Sequence, residues 1–327
     1  MNVPPLEAVL ARPERLRSFV ESVLAQAGMN GEHAALLAEL LVTNDLRGVF
    51  SHGTRQVAAY ARLLRDGQIN PNPAVRIVDE TPTTFAVDGD GGLGYFPAWT
   101  AAHHIVDRAR EMGVAVAVTR NHGHIGAAGL YPRVVAAAGL LAYCTSGHQL
   151  HLTPGSSVQA AAGGSPMSFA LPTGGDVPFA LDFGAMHHLY EGDPHVQQVL
   201  DLAPAVFFRS LGLGAVCQAV GGFLAGVPAQ AERAAKRQWS GANQGAFLLA
   251  VDIARFLPLA TFKAEMDDYI RRVHALIPMP GYAEATLPGE LEWRREEQWR
   301  ASGVPVDQAH ADLLREIGAE FGVAAPL

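Results

Sequence analysis

"TTFAVDGDGGLGYF", residues 83–96, decides the fold. A β-branched run ends in Gly89, Gly91 and Gly94 at the G-x-G-x-x-G spacing of a dinucleotide-binding turn, and a helix-like stretch follows. Read that way, the chain is a Rossmann protein; read as a plain turn, the sheet is free to take another topology. The Rossmann fingerprint also needs an acid about twenty residues on, at the end of the next strand, to hold the ribose hydroxyls. Here that strand, "VAVAVT", ends in Arg120, which could instead accept a 2′-phosphate. Glycine-dense turns after "VDGD" also arise as ordinary connections, because several positions need positive φ. The turn reading is the stronger one.

Working outward, the segment before residue 75 reads as helices. "PERLRSFVESVLAQAGM" has Pro13 in its first turn and places Leu16, Phe19, Val20, Val23 and Leu24 on one face. Asn30 caps "GEHAALLAELLVTNDL", which should end near Gly48, and "FSHGTRQ" is a loop before the amphipathic "VAAYARLLRDG". From residue 75 short apolar runs alternate with glycine, as in "VAVAVTRNHGHIG", "SPMSFALPTGGDVPFALDF" and "AFLLAVDIARF", with helices at "YFPAWTAAHHIVDRAREMG" and "YPRVVAAAG". After residue 257 helices return in "LATFKAEMDDYIRRVHAL", "GELEWRREEQWRASG" and "DQAHADLLREIGAEFG". The expected fold is therefore α/β in the α+β sense. Residues 1–74 form an N-terminal helical part, 75–257 a central sheet domain, and 258–327 a C-terminal helical part packing with the N-terminal one.

A formal charge of -8 argues against a nucleic-acid partner, and an anionic substrate would need a local basic group. Cys144 and Cys217 are too few for a disulfide scaffold or a thiolate metal site, which suits a reducing cytoplasm. The N-terminus carries charge in every turn and lacks the apolar core of a secretory signal. "LGLGAVCQAVGGFLAGVPA", residues 211–229, has no charge and the length of a membrane span. Its five glycines favour a buried helix packed through a glycine face, so no membrane is expected.

Two stretches carry candidate chemistry. "NHGHIGAAG", residues 121–129, sets His122 and His124 two apart at a glycine-rich bend. They could bind a metal if a third ligand arrived, but the loop has no acid and the chain has neither H-E-x-x-H nor a cysteine pair, so no metal is expected. Proton transfer is the stronger alternative, an imidazole having an ordinary pKa near 6.5. "SHGTR", residues 51–55, supplies a second candidate, His52, with Ser51 before it and Arg55 three residues after. Arginine can clamp the carboxylate of a 2-oxo acid while imidazolium protonates the developing alkoxide. His33, His103, His104, His274 and His310 read as surface or half-buried helix residues; His187, His188 and His195 fall in an irregular segment.

In order, "NDLRGVFSHGTRQVAAY", "GQINPNP", "VDGDGGLG", "RNHGHIGAAGLY", "GGSPMSFALPTG", "FALDF" and "LPGELEWRREEQWRASGVPVD" cover the chain almost end to end. Together they resemble the NAD(P)-dependent 2-hydroxyacid dehydrogenases of the malate/L-lactate dehydrogenase type 2 family. That family includes sulfolactate, ureidoglycolate and diketogulonate dehydrogenases and Δ1-piperideine-2-carboxylate reductases. The resemblance implies a non-Rossmann cofactor domain flanked by helices from both termini, working as a homodimer. It implies that His52 is the proton donor and acceptor, Ser51 its neighbour, Asp182 the carboxylate that orients it, and His124 a second active-site histidine. Tyr60 would line the substrate pocket, with Arg55 as carboxylate clamp where the family more often has arginine at the place of Gln56. The cofactor, NAD or NADP, would meet Ser165, Pro166, Asp182, Gly214, Pro288, Gly289 and Glu290.

Several cofactor positions depart from the family. "GGSP" replaces "GTNP"; Gly184, Ala185 and Met186 follow Asp182 where the family has "MATS"; and the family's "GG-x-KG" lysine falls at Leu213. Losing an ammonium beside a pyrophosphate removes about 1.5 to 3 kcal/mol, or roughly ten- to a hundred-fold in affinity. The expected activity is hydride transfer between NAD(P)H and a small 2-oxo acid, 2-hydroxy acid or cyclic imine carboxylate. One alternative is a cofactor-free acid/base enzyme, an isomerase or lyase acting next to a carbonyl on the same scaffold. The other, a non-catalytic scaffold, would leave the retained His, Asp and Arg without a role.

Overall fold

A computed structural model describes residues 3–175, 177 and 179–327. The chain runs β1 (Val9–Ala11), α1 (Pro13–Gln26), α2 (Gly31–Leu46), α3 (Val57–Arg65), β2 (Arg76–Val78), β3 (Thr84–Asp88), α4 (Tyr95–Met112), β4 (Val114–His122), α5 (Leu130–Ala137) and β5 (Leu141–His148). It continues through β6 (Pro166–Leu171), β7 (Phe179–Gly184), α6 (Val196–Leu202), α7 (Pro204–Cys217), α8 (Ala231–Ala234), β8 (Gln244–Val251), α9 (Leu259–His274), α10 (Glu290–Ser302), β9 (Val304–Val306) and α11 (Gln308–Phe321). Two compact units result, Met1–Pro73 with Gly289–Leu327, and Ala74–Pro288.

The first unit is helical, closed by the antiparallel pair β1 and β9. α1 starts at Pro13 and buries Leu16, Phe19, Val20, Val23 and Leu24, the stripe its spacing predicts. Each such side chain contributes about 1.5 to 3 kcal/mol on burial. The Asn30 side chain caps α2 by accepting the His33 N–H at 2.9 Å, and Asp307 caps α11 by accepting the His310 N–H at 2.8 Å. Of the stretch expected to form a C-terminal helical part, 289–327 lies in this unit, whereas 258–288, including α9, stays with the sheet.

The second unit holds a seven-stranded sheet ordered β2-β3-β4-β8-β5-β6-β7. Only β3 and β4, bridged by α4, are parallel; every other neighbouring pair is antiparallel. A mostly antiparallel sheet is not a Rossmann sheet. The glycine loop explains why its fingerprint misleads. Gly89 N–H donates to the Arg120 carbonyl, Gly91 to Asn121 and Gly94 to His124, all at 2.9 to 3.0 Å. Amides spent on the end of β4 are not available to a phosphate.

That strand end also contains a change of parity. Ala115, Ala117 and Thr119 alternate into the core, then the register against β8 shifts between Thr119 and His122, with Asn121 at φ 55°. The bulge turns His122 inward. Past it, α7 runs into a π-helical turn, Gln218–Phe223. A Cβ on Gly214 would come within 2.5 Å of Ala162 and one on Gly221 within 2.5 Å of Ser146, so the helix packs through its glycines as expected. Burial holds for that side only: Phe208, Leu213, Val216, Phe223 and Leu224 are exposed in the chain.

Candidate active-site residues

The loop bearing His52 hangs from the last turn of α2. Asn44 Nδ2 donates to the His52 carbonyl at 2.8 Å, while Thr54 donates both its N–H (3.0 Å) and its hydroxyl (2.5 Å) to Asp45 Oδ2. An acid in the last turn of a helix opposes the helix dipole and stands only if something compensates it. The two bonds from Thr54 do so. Burial nevertheless raises Asp45 to a pKa of about 7, with Oδ1 left buried and unpartnered. Gly53 must be glycine for a reason unrelated to φ: a Cβ there would lie 1.7 Å from Asp45 Oδ1.

With the Thr54 proton directed to Asp45, the hydroxyl oxygen accepts from His310 Nε2 at 3.0 Å. Burial, with Arg55 nearby, lowers His310 to about 4, so it is neutral. It was expected at the surface or half-buried; the structure buries it as a strut under the His52 loop. Asp45, Thr54 and His310 were missed as contributors. The signal for Asp45 was present, a carboxylate facing the negative end of its own helix.

His52 Nδ1 lies 2.9 Å from Ser51 Oγ, a contact that orients the ring. Burial lowers the pKa of His52. Arg55 is ion-paired with Asp307, the residue that caps α11. Tyr60 is buried on α3.

In the second unit the "HIGAAG" segment and Asp182 come together. Asp182 Oδ2 accepts the Gly129 N–H at 3.0 Å at the start of α5, and a Cβ on Gly129 would come within 2.6 Å of that oxygen. His124 is half-buried, and its carbonyl accepts from Gly94. His122 differs: Thr119 Oγ1 lies 2.7 Å from its Nε2 and the Gly123 carbonyl 2.7 Å from its Nδ1. Nδ1 therefore carries the proton, Nε2 accepts from the threonine, and burial drops the pKa to about 4. Neither nitrogen remains for a metal or a substrate. His187 and His188 lie at the surface with their rings in contact at a tilt of 52°, and His195 precedes α6.

The expected cofactor positions divide. Buried Ser165 uses Oγ to accept the Met186 N–H at 3.1 Å, and its carbonyl accepts from Ala185 at 2.9 Å. It thus secures the turn that replaces the family's hydroxyl pair. Pro166 pairs with Gly184 at the start of β6. Gly214 packs on Ala162, Leu213 points outward, and the Pro288 carbonyl accepts from Ala180. Gly289, at φ 98°, opens α10, where Glu290 is buried. Ser168, opposite Asp182 in the β6–β7 register, has a buried Oγ without a partner. The exposed carboxylate of Asp182 is chemically suited to accept hydrogen bonds from the carboxamide or ribose hydroxyls of a nicotinamide riboside. A cation for the pyrophosphate is not supplied at position 213.

Comparison with known proteins places the chain in a family. The malate/L-lactate dehydrogenase family profile matches residues 11–187 and 191–315. A malate dehydrogenase of Pyrococcus horikoshii is 26% identical over 95% of both chains, and an L-sulfolactate dehydrogenase of Methanocaldococcus jannaschii is 26% identical over 96% of this chain and 98% of that one. The structure of Pyrococcus horikoshii malate dehydrogenase superposes with a TM-score of 0.85, at 25% identity, over 99% of this chain and 98% of that one. The chain belongs to the malate/L-lactate dehydrogenase family.

Proposed function

We propose that the protein is an oxidoreductase that moves hydride between a nicotinamide cofactor of the NAD type and the 2-position of a small carboxylate-bearing substrate, a 2-oxo or 2-hydroxy acid or a cyclic imine carboxylate. The observation that carries this is the fixed imidazole: His52 is aligned through Nδ1 by Ser51 on a loop held by Asn44, Asp45 and Thr54. Family membership favours this reading over cofactor-free acid/base chemistry on the same scaffold.

The cofactor, when bound, supplies or takes the hydride. The chain's residues manage the proton and the carboxylate. In reduction, His52 Nε2 gives its proton to the oxygen or nitrogen formed at the 2-position; in oxidation it takes one. A histidine whose pKa is lowered by burial is mostly neutral at neutral pH and so is ready as the base. We assign Asp182 to orienting that imidazole, as its family position implies, and His124 to hydrogen bonding with the substrate. Arg55 attracts the substrate carboxylate; with one nitrogen engaged by Asp307, it acts more as a charge than as a two-point fork. Tyr60 is assigned to the wall of the substrate pocket.

Asp182 and the Ser165–Pro166 turn would hold the nicotinamide end, with Gly214, Pro288, Gly289 and Glu290 contributing backbone and packing. The exposed apolar side of α7 supports pairing of two copies, and two free buried cysteines suit a reducing cytoplasm. The test is a titration of the full chain with NADH and with NADPH by nicotinamide fluorescence, followed by turnover of a panel of 2-oxo acids. Binding of at least one cofactor and turnover of at least one acid are expected, and the stronger of the two cofactors identifies the preference. Failure of both cofactors to bind at high micromolar concentration would overturn the assignment.

A further inference from the structure

One group of residues gathered around a cavity has no part in the proposed chemistry. At the end of the sheet where β3 and β4 finish and β8 begins, a cavity of about 370 Å³ is lined by Arg120, Arg233, Lys236 and Arg237. Asp88 is the one carboxylate on its wall, and Asp88 Oδ1 accepts the Asp90 N–H at 2.8 Å and Asn121 Nδ2 at 2.9 Å. Four cations around one hollow are unexpected in a chain with 32 acidic and 24 basic residues, of which only Lys236 and Lys263 are lysines.

How those cations are paired makes the point sharper. Arginines elsewhere commonly meet carboxylates, as Arg47 meets Glu296, Arg62 meets Glu316 and Glu320, and Arg108 meets Glu80. In the cavity, Arg120 is paired with exposed Asp79. Among the described residues, no carboxylate lies within ion-pair distance of Arg233, Lys236 or Arg237. Arg237 is half-buried and donates to a neutral acceptor, Gln149 Oε1, at 2.7 Å. A partly desolvated guanidinium without a counter-ion is held at a cost unless an anion arrives.

We infer that this cavity is a binding site for the phosphate group of a small phosphate ester. Planar guanidinium groups match phosphate oxygens two at a time, and Lys236 adds a mobile point charge. The volume exceeds that of inorganic phosphate alone and leaves room for part of the organic moiety. The walls stand on the ends of β3, β4 and β8 and on the Ala225–Pro228 turn, and three of the cations come from one short stretch, residues 233–237. The Arg120 that the glycine loop left without a cofactor role is the fourth.

The ester has two sources, the 2′-phosphate of a nicotinamide cofactor or a free phosphorylated metabolite. The experiment is calorimetric titration of the full chain with pyrophosphate and with 2′-AMP, repeated on Arg233→Ala/Lys236→Ala and on the single variant Arg237→Gln. The double variant is expected to fold, since Arg233 and Lys236 are exposed, and circular dichroism checks the fold of both variants. Wild-type binding that weakens tenfold or more in the double variant supports the site. In the cofactor arm, the double variant loses NADPH affinity tenfold while NADH affinity is unchanged; in the metabolite arm, both cofactors bind as before and pyrophosphate still binds in their presence. No wild-type binding at millimolar concentration, or equal binding by the variants, overturns the inference. Neither readout uses turnover, so the result stands apart from the hydride-transfer assignment.

Discussion

Replacing Gly53 by alanine isolates the contact on which the His52 loop depends. The glycine has φ -90° and ψ -151°, a conformation alanine adopts freely, so backbone strain contributes little. The cost arises because the new methyl would sit 1.7 Å from Asp45 Oδ1 and 2.5 Å from its carboxyl carbon. The carboxylate has to move, and both hydrogen bonds from Thr54 to Oδ2 go with it. Each bond to a charged group is worth about 1.5 to 3 kcal/mol, so the loss is about 3 to 6 kcal/mol. The entropy removed from the unfolded chain returns about 0.4 to 1 kcal/mol. A net destabilisation of roughly 2 to 5.5 kcal/mol follows, a large part of the 5 to 15 kcal/mol typical of a folded domain. Denaturant unfolding of Gly53→Ala, Asp45→Ala and the double variant tests this. With the carboxylate gone the methyl has room, so Gly53→Ala should cost less than about 1 kcal/mol in the Asp45→Ala background. A single Gly53→Ala within 1 kcal/mol of wild type, or costs that simply add in the double variant, would refute the reasoning.

Four further expectations concern Asp45, His122, Gly129 and His52. Asp45 has a folded pKa of about 7 against an ordinary 3.8, so its contribution is fully present below pH 3.8 and is lost as pH rises through 7. The stability of wild type relative to Asp45→Asn should therefore fall by roughly 4 kcal/mol at most across that window, and a flat difference would contradict the burial argument. His122 has the opposite sign: its pKa of about 4 makes stability present above 6.5 and lost as pH falls towards 4, so His122→Gln should unfold less steeply on acidification than wild type. Gly129→Ala pushes on Asp182 Oδ2 and should cost on the order of a hundred-fold in kcat/KM with a small change in Tm; full activity would separate Asp182 from the chemistry. Finally, kcat/KM for reduction should fall as pH rises through a value below 6.5, and that for oxidation should rise through the same value, because burial lowers His52.

Local patterns told most of the helices. The α1 stripe and the Asn30 cap follow from spacing and cap chemistry within one element, and both are found as read. The glycine loop could be judged from its missing acid, and its amides bond to β4. What escaped was set by partners far away in the chain. His122 faces inward because β4 slips against β8, a bulge that no alternation within β4 announces. β5 follows α5 after a single glycine turn in a run of small apolar residues, where periodicity does not separate strand from helix. His310 meets Thr54 256 residues earlier, and Arg55 meets Asp307 252 residues later, pairings that amphipathic patterns do not encode. The hydroxyls absent after Asp182 were visible; that Ser165 binds the replacement turn was not.

The central claim is that hydride passes to the 2-position while His52 supplies the proton. It is met most directly by incubating the enzyme with 2-oxo acids and nicotinamide cofactor carrying deuterium at the transferring carbon, and measuring the product by mass spectrometry. The account predicts a 2-hydroxy acid bearing one deuterium at its second carbon, formed about 10² to 10⁴ times more slowly by His52→Gln while cofactor fluorescence titrates unchanged. Product without deuterium, or undiminished transfer by His52→Gln, would contradict it.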